Sequence, residues 1–260
     1  MKATIINNLS TGAIVLFSIV SAPAQDVHYI QLDAVPLAVN PAFTGTFNGG
    51  LRASGIYRNQ WASVTVPYVS FGAALDLPVL VSKHGDYLAG GMQVIKDQAG
   101  DGNLANFSAV ASLAYHKLFT AFTKKGGNNS DLSFGLQGGY ARGSIDLSNI
   151  YFGNLYTNGN GQYQLGIGNT LSYYPISAGI SFAQSLASRF NYIIGFSDYN
   201  INQPSDNIKS LQNEQTGLEN RYSFIFGANW QITRRLTLRP MVYYQQRKNE
   251  SDLVAGNEFY

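Results

Sequence analysis

The sequence predicts an all-β protein, a transmembrane antiparallel β-barrel of up-and-down connectivity, and three observations predict it. Segment after segment alternates apolar with small or polar residues, which sends successive side chains to opposite faces of a strand. The alternating runs are about 9 to 11 residues long, longer than the roughly 5 to 6 residues usual for strands of soluble proteins and suited to a tilted bilayer crossing. Charged residues make up only 12% of the chain. A soluble sandwich would alternate too, but its outer face would need more Lys and Glu than that.

The elements follow in chain order. Lys2, the apolar stretch Ala13 to Val20 and the small-x-small triplet Ala22-Pro23-Ala24 have the form of a secretory signal peptide over 1–24, with a core too short to cross a bilayer as a helix. Residues 25–49 are expected to form an extended pre-barrel segment, with Pro36 and Pro41 fixing its backbone. The barrel domain is assigned to 50–260, with strands at 50–59, 67–77, 87–97, 104–118, 131–144, 174–184, 190–200, 219–232 and 236–248, and another beginning near Gly256. Val69, Phe71, Ala73, Leu75 and Leu77 alternate with Ser70, Gly72, Ala74 and Asp76. Phe107, Ala109, Ala111, Leu113 and Tyr115 do so against Ser108, Val110, Ser112, Ala114 and His116. Tyr222, Phe224, Phe226 and Trp230 face away from Ser223, Gly227 and Asn229, and Val242 and Tyr244 from Tyr243 and Gln245. Aromatic residues gather near run ends (Tyr57 and Trp61, Tyr115 and Phe119, Tyr173 and Tyr174, Tyr243 and Tyr244), where rings at headgroup level are expected.

If the first strand leaves the periplasm, the long connections 145–173 and 201–218 fall outside, and the short ones 184–189 and 233–235 fall inside, as in outer-membrane barrels. The connection 119–130 is longer than that rule allows. Single-chain barrels use an even number of strands, and nine or ten are counted here. The last strands are therefore expected to be missing, unless Phe259-Tyr260 is the aromatic end of a finished barrel.

Composition excludes several kinds of chemistry. With 17 basic and 15 acidic residues scattered along the chain, nothing draws it to nucleic acid. The absence of cysteine removes thiol nucleophiles and Cys-ligated zinc. The three histidines, His28, His84 and His116, form no ligand pair, so neither a metal nor a cofactor is expected. No catalytic residue is assigned. His116 and Ser112 share a strand face, but a lumen hydrogen bond is the simpler role for His116 than that of a base. Asp97-Gln98-Ala99-Gly100-Asp101-Gly102-Asn103 has oxygen-bearing residues at calcium-loop spacing. Asp101-Gly102 between two alternating runs is a hairpin signal in itself, and the turn is preferred, with Asp97, Gly100, Asp101 and Gly102 as its motif.

Several motifs occur in a telling order. Gln25-Asp26, His28-Tyr29, Pro36-Leu37, Asn40-Pro41-Ala42-Phe43-Thr44-Gly45 and Tyr57-Arg58-Asn59-Gln60-Trp61 are followed by Gly90-Gly91, Asp97 to Gly102, and Leu132 to Tyr140 leading to Ile145-Asp146. As a set they resemble the PorP/SprF family, outer-membrane proteins of the type IX secretion system and gliding motility of Bacteroidota. The resemblance implies a non-enzymatic barrel in the bacterial outer membrane that aids export or surface attachment of cargo bearing a sorting domain. Its partners would be outer-membrane lipid, other secretion components and a sorting-domain surface protein. Members continue for several more strands, which again implies missing strands. A passive channel for small solutes is the alternative. Within the signature, Tyr57, Arg58, Asn59, Gln60 and Trp61 admit two roles: a rim cluster bonding loops or a partner, or a clamp on 25–49, which is preferred because polar networks at barrel mouths rigidify them.

Overall fold

The structure, a computed structural model, describes residues 35–60, 62–63, 66–83, 85–99, 104–121, 128–144, 170–187, 189–204, 218–248 and 250–259. The expected signal peptide, His28, His84, Trp61, Gly100, Asp101 and Gly102 lie outside them. Among the described residues a short helix α1 (Pro36–Val39) and a 3₁₀ turn (Pro41–Phe43) precede eleven strands. These are β1 (Arg52–Gln60), β2 (Tyr68–Val81), β3 (Tyr87–Ala99), β4 (Leu104–Ala121), β5 (Asn128–Ser144), β6 (Thr170–Tyr173), β7 (Ile176–Ala187), β8 (Phe190–Tyr199), β9 (Arg221–Gln231), β10 (Thr237–Arg247) and β11 (Glu250–Phe259). All neighbours pair antiparallel, in the order β1-β2-β3-β4-β5-β7-β8-β9-β10-β11, with β6 set beside β5 off that path. Among the described residues β1 and β11 are the two edges and the sheet is not closed. No helix among the described residues is long and apolar enough to cross a membrane.

The two-residue rhythm is realised as an inverted distribution of polarity. Phe71, Leu75, Met92, Leu113, Phe134, Leu136, Phe196 and Phe224 are exposed on the outer face. The alternate residues Ser70, Asp76, Gln93, Ser112, His116, Ser133, Gln137, Ser197 and Ser223 are buried on the inner face. A soluble domain buries its apolar face, whereas a bilayer-spanning barrel turns that face to lipid and keeps polar groups inside. The exposed apolar band is the side that a bilayer would cover, and the fold is the all-β, antiparallel, up-and-down type that the alternation predicts.

Differences from the predicted elements have local causes. Residues 36–43, expected to be extended, form two helical turns, because each proline opens one at the position where its fixed φ and missing N–H are tolerated. β2 continues past Pro78 to Val81 through a register shift between Pro78 and Leu80, a bulge that accommodates the missing donor. β4 and β5 pair from Ala105 with Ser144 as far as Ala121 with Asn128. Residues 119–121 and 128–130 of the long connection 119–130 are therefore strand. β6 was not foreseen, and β11 starts at Glu250, well before Gly256. Of the aromatic residues assigned to the interface, Tyr57, Tyr115, Phe119 and Tyr174 are exposed, but Tyr243 points inward and is buried.

Candidate functional site

Residues 35–44 fill the space inside the curved sheet. Val35, Leu37, Ala42 and Thr44 have no exposed surface, and Asn40 has 1%. Short turns expose backbone carbonyls and N–H groups that helix or sheet would have paired, so a chain of such turns inside a barrel must find its partners on the wall. It finds them on successive strands. The Asn40 side chain caps the 3₁₀ turn, its Oδ1 accepting the Ala42 N–H at 2.8 Å. Its Nδ2 donates to the carbonyls of Ile180 in β7 and Phe196 in β8, each at 3.1 Å. Ser197 in β8 and Ser223 in β9 both donate to the Val39 carbonyl, at 3.1 and 3.2 Å. Ser133 in β5 donates to the Ala42 carbonyl at 3.0 Å, and Thr44 to the Ser112 hydroxyl of β4 at 2.8 Å. Gln137 Nε2 and the Tyr199 hydroxyl each donate to the Leu37 carbonyl at 3.3 Å.

Two charged groups secure the end nearest β1. The Gly45 N–H donates to Asp76 Oδ2 at 2.7 Å. Arg52 grips the same carboxylate with two nitrogens, at 2.8 and 2.7 Å, and donates to the Phe43 carbonyl at 2.9 Å. Asp76 is fully buried, so this bidentate partner compensates the loss of its hydration. His116, also fully buried, donates through Nε2 to the Thr44 carbonyl at 2.7 Å, and its Nδ1 lies in hydrogen-bond contact with Asp131 Oδ2 at 2.9 Å. Tyr87 stacks on its ring at 4.2 Å between centroids. Two glycines admit the segment to the wall: a Cβ on Gly135 would collide with the backbone of Pro41 and Ala42, and one on Gly179 with the Asn40 side chain. Outside the sheet's core, Asp86 ties the β2–β3 turn to β4 by accepting from Lys117 Nζ at 2.5 Å, the Leu118 N–H at 3.1 Å and the Tyr115 hydroxyl at 3.2 Å. The bond from Lys117 is the main reason its carboxyl sits below the usual carboxylate range.

The structure unites only part of the sequence-predicted set. Asn40 and Pro41 are at the centre of the filled lumen. Tyr57 and Asn59 face outward from β1, while Arg58 and Gln60 face inward, where Arg58 donates to Gln60. Arg52, Asp76 and the serines hold the inner segment over 39–45. Asp97 lies in β3, opposite Ser70 and Asn106, so the strand outlasts the start of the expected turn. Arg52, Asp76, Asp131, Thr44, Ser133, Ser197 and Ser223 were not singled out. For the serines and the two acids the one signal is a small hydroxyl or a carboxylate at the inward position of an apolar run, and Arg52 and Thr44 carry no such signal. Ser112 and His116 do share a face, yet each is bonded to Thr44, and His116 is turned to Asp131. No nucleophile and base meet there. Among the described residues no cluster of His, Cys, Asp and Glu could hold a metal ion.

Compared with known proteins, residues 21–260 match a family model described as type IX secretion system membrane protein PorP/SprF. No curated protein and no solved structure matches the chain.

Proposed function

The chain belongs to the PorP/SprF family of type IX secretion system membrane proteins, and from that premise we propose that it is an outer-membrane barrel acting by protein contacts, aiding export or surface attachment of cargo that carries a sorting domain. The observation that carries this reading over a passive channel is the occupied lumen. Val35, Leu37, Pro41 and Thr44 are fully buried inside the sheet, and the segment is bonded to side chains of β2, β4, β5, β8 and β9 and to backbone carbonyls of β7 and β8. A solute pore needs a continuous wet path, and a segment held by so many buried bonds obstructs one. A rigid core suits a scaffold that presents its ends to other proteins. The exposed apolar band supports lipid as its surroundings, and the export signal in 1–24 supports a location beyond the inner membrane.

Deletion of the gene tests the proposal directly. Surface levels of sorting-domain proteins are expected to fall while those proteins accumulate inside the cell or in the medium. Unchanged surface display would contradict the secretory role. Conductance by the purified full chain without a secretion defect would favour the channel instead.

A further inference from the structure

Beyond α1, at the end of the sheet that carries the connections 145–169 and 200–220, lies a cavity of about 320 Å³. Ala38 and Val39 form its floor, and Gln93, Asp97, Arg221 and Arg247 are among its walls. Its volume falls in the range of ligand pockets, roughly 300–1,000 Å³. Arg221 and Arg247 stand directly opposite each other across β9 and β10, and the Arg221 guanidinium lies 4.2 Å from the centre of the Tyr199 ring. Like charges in that relation repel, so negative charge placed between them gains from both. Arg247 also stands opposite Glu250 of β11, and Asp97 adds a carboxylate on the facing wall. Gln93 supplies an independent sign. Its side chain lines the cavity with only 3% of the residue exposed, and its Nε2 has no hydrogen-bond partner. A buried amide donor left unmade is costly.

We infer that this vestibule is a binding site for a short extended stretch of polypeptide that carries a carboxylate, held by Arg221, Arg247 and Gln93 while Asp97 accepts from the peptide's N–H groups. The inference rests on the secretion reading, in which polypeptide cargo is what this end of the barrel meets. Arginine's forked donors match a carboxylate, and the carboxamide of Gln93 can serve either a carboxylate oxygen or a backbone carbonyl. The floor made by α1 means that the peptide docks and does not pass through.

The test uses the full chain in detergent micelles and fluorescein-labelled hexaglutamate, with hexaglutamine as its neutral match, read by fluorescence anisotropy. Hexaglutamate is expected to bind about tenfold tighter or more, with an affinity that falls as salt rises. Arg221→Gln with Arg247→Gln is expected to erase that preference. Gln93→Leu, which removes the unmade donor and so leaves folding unharmed, is expected to weaken hexaglutamate several-fold. Arg234→Gln, which removes one charge from the turn between β9 and β10 at the opposite end, is expected to change nothing. Equal binding of the two peptides, an equal loss on Arg234→Gln, or displacement of hexaglutamate by maltohexaose would each overturn the inference. Lost cargo display on gene deletion, together with absent hexaglutamate binding, would leave the secretory role standing and overturn the vestibule alone.

Discussion

Every polar atom of the Asn40 side chain is committed, one oxygen to its own turn and one amide nitrogen to two strands. Truncation to alanine removes three bonds at about 1 kcal/mol each and leaves two inward carbonyls short of a donor. Asn40→Ala is therefore predicted to lower stability by about 2–4 kcal/mol, measured as a shift of the urea midpoint in detergent with an unchanged slope. Asp86 gives a pH-dependent counterpart outside the spanning strands. Its folded pKa is depressed, with the Lys117 bond the largest cause, so its contribution is complete above the ordinary carboxylate pKa of about 4 and is lost as pH falls through the lower folded value. The stability difference between the wild type and Asp86→Asn should be constant at neutral pH and shrink in acid below about pH 4. A difference that instead grew on acidification would show that Lys117 and Leu118 do not hold Asp86 ionised. The sequence marked Asn40 through an ordered motif but not its role, because an asparagine's partners 140 and 156 residues away leave no local pattern.

At the scale of elements, most strands were legible because each has an apolar face turned outward and a small or polar face turned inward, and a single-residue slip would reverse both. β4 and β5 show it best, with Leu113 paired to Leu136 near the middle of both strands and both exposed outward. Leu113→Arg or Leu136→Arg is predicted to destabilise the protein in lipid by about 2–4 kcal/mol, the usual midplane penalty, measured by denaturant titration in vesicles. Ser112 and Gln137, their neighbours on the inner face, are paired to each other in the same ladder. What escaped prediction lacks that two-sided signal. β6 spans only Thr170–Tyr173 and pairs solely with the end of β5. The start of β11, Glu250-Ser251-Asp252, is polar on both faces before Leu253. The helical turns at Pro36 and Pro41 are stabilised by the wall around them and not by their own four and three residues.

The whole molecule is an inside-out sheet wrapped around its own N-terminal segment. The wall that a soluble domain would fill with leucine and valine carries Ser133, Ser181, Ser197, Ser223, Gln137, His116 and Asp76, all buried. These residues are quiet in the sequence because serine and glycine are common everywhere in it. They acquire meaning only when the curved sheet gathers them around one short stretch of backbone. The lumen is thereby specified by hydrogen bonds, and the exterior by apolar area. Among the described residues β1 and β11 are the edges, and in a bilayer their unpaired backbone groups would cost several kcal/mol each.

The central claim, that the apolar face of this sheet meets lipid, is open to one direct measurement. The sequence contains no cysteine, so single cysteines can be placed along β4 from Ala109 to Tyr115 in the full chain, spin-labelled and reconstituted in vesicles. The account predicts a two-residue alternation: labels at 109, 111, 113 and 115 reached by oxygen and shielded from a water-soluble nickel relaxant, and labels at 110, 112 and 114 shielded from oxygen. Labels at 111 and 113 relaxed freely by the nickel reagent, with no alternation along the strand, would contradict it.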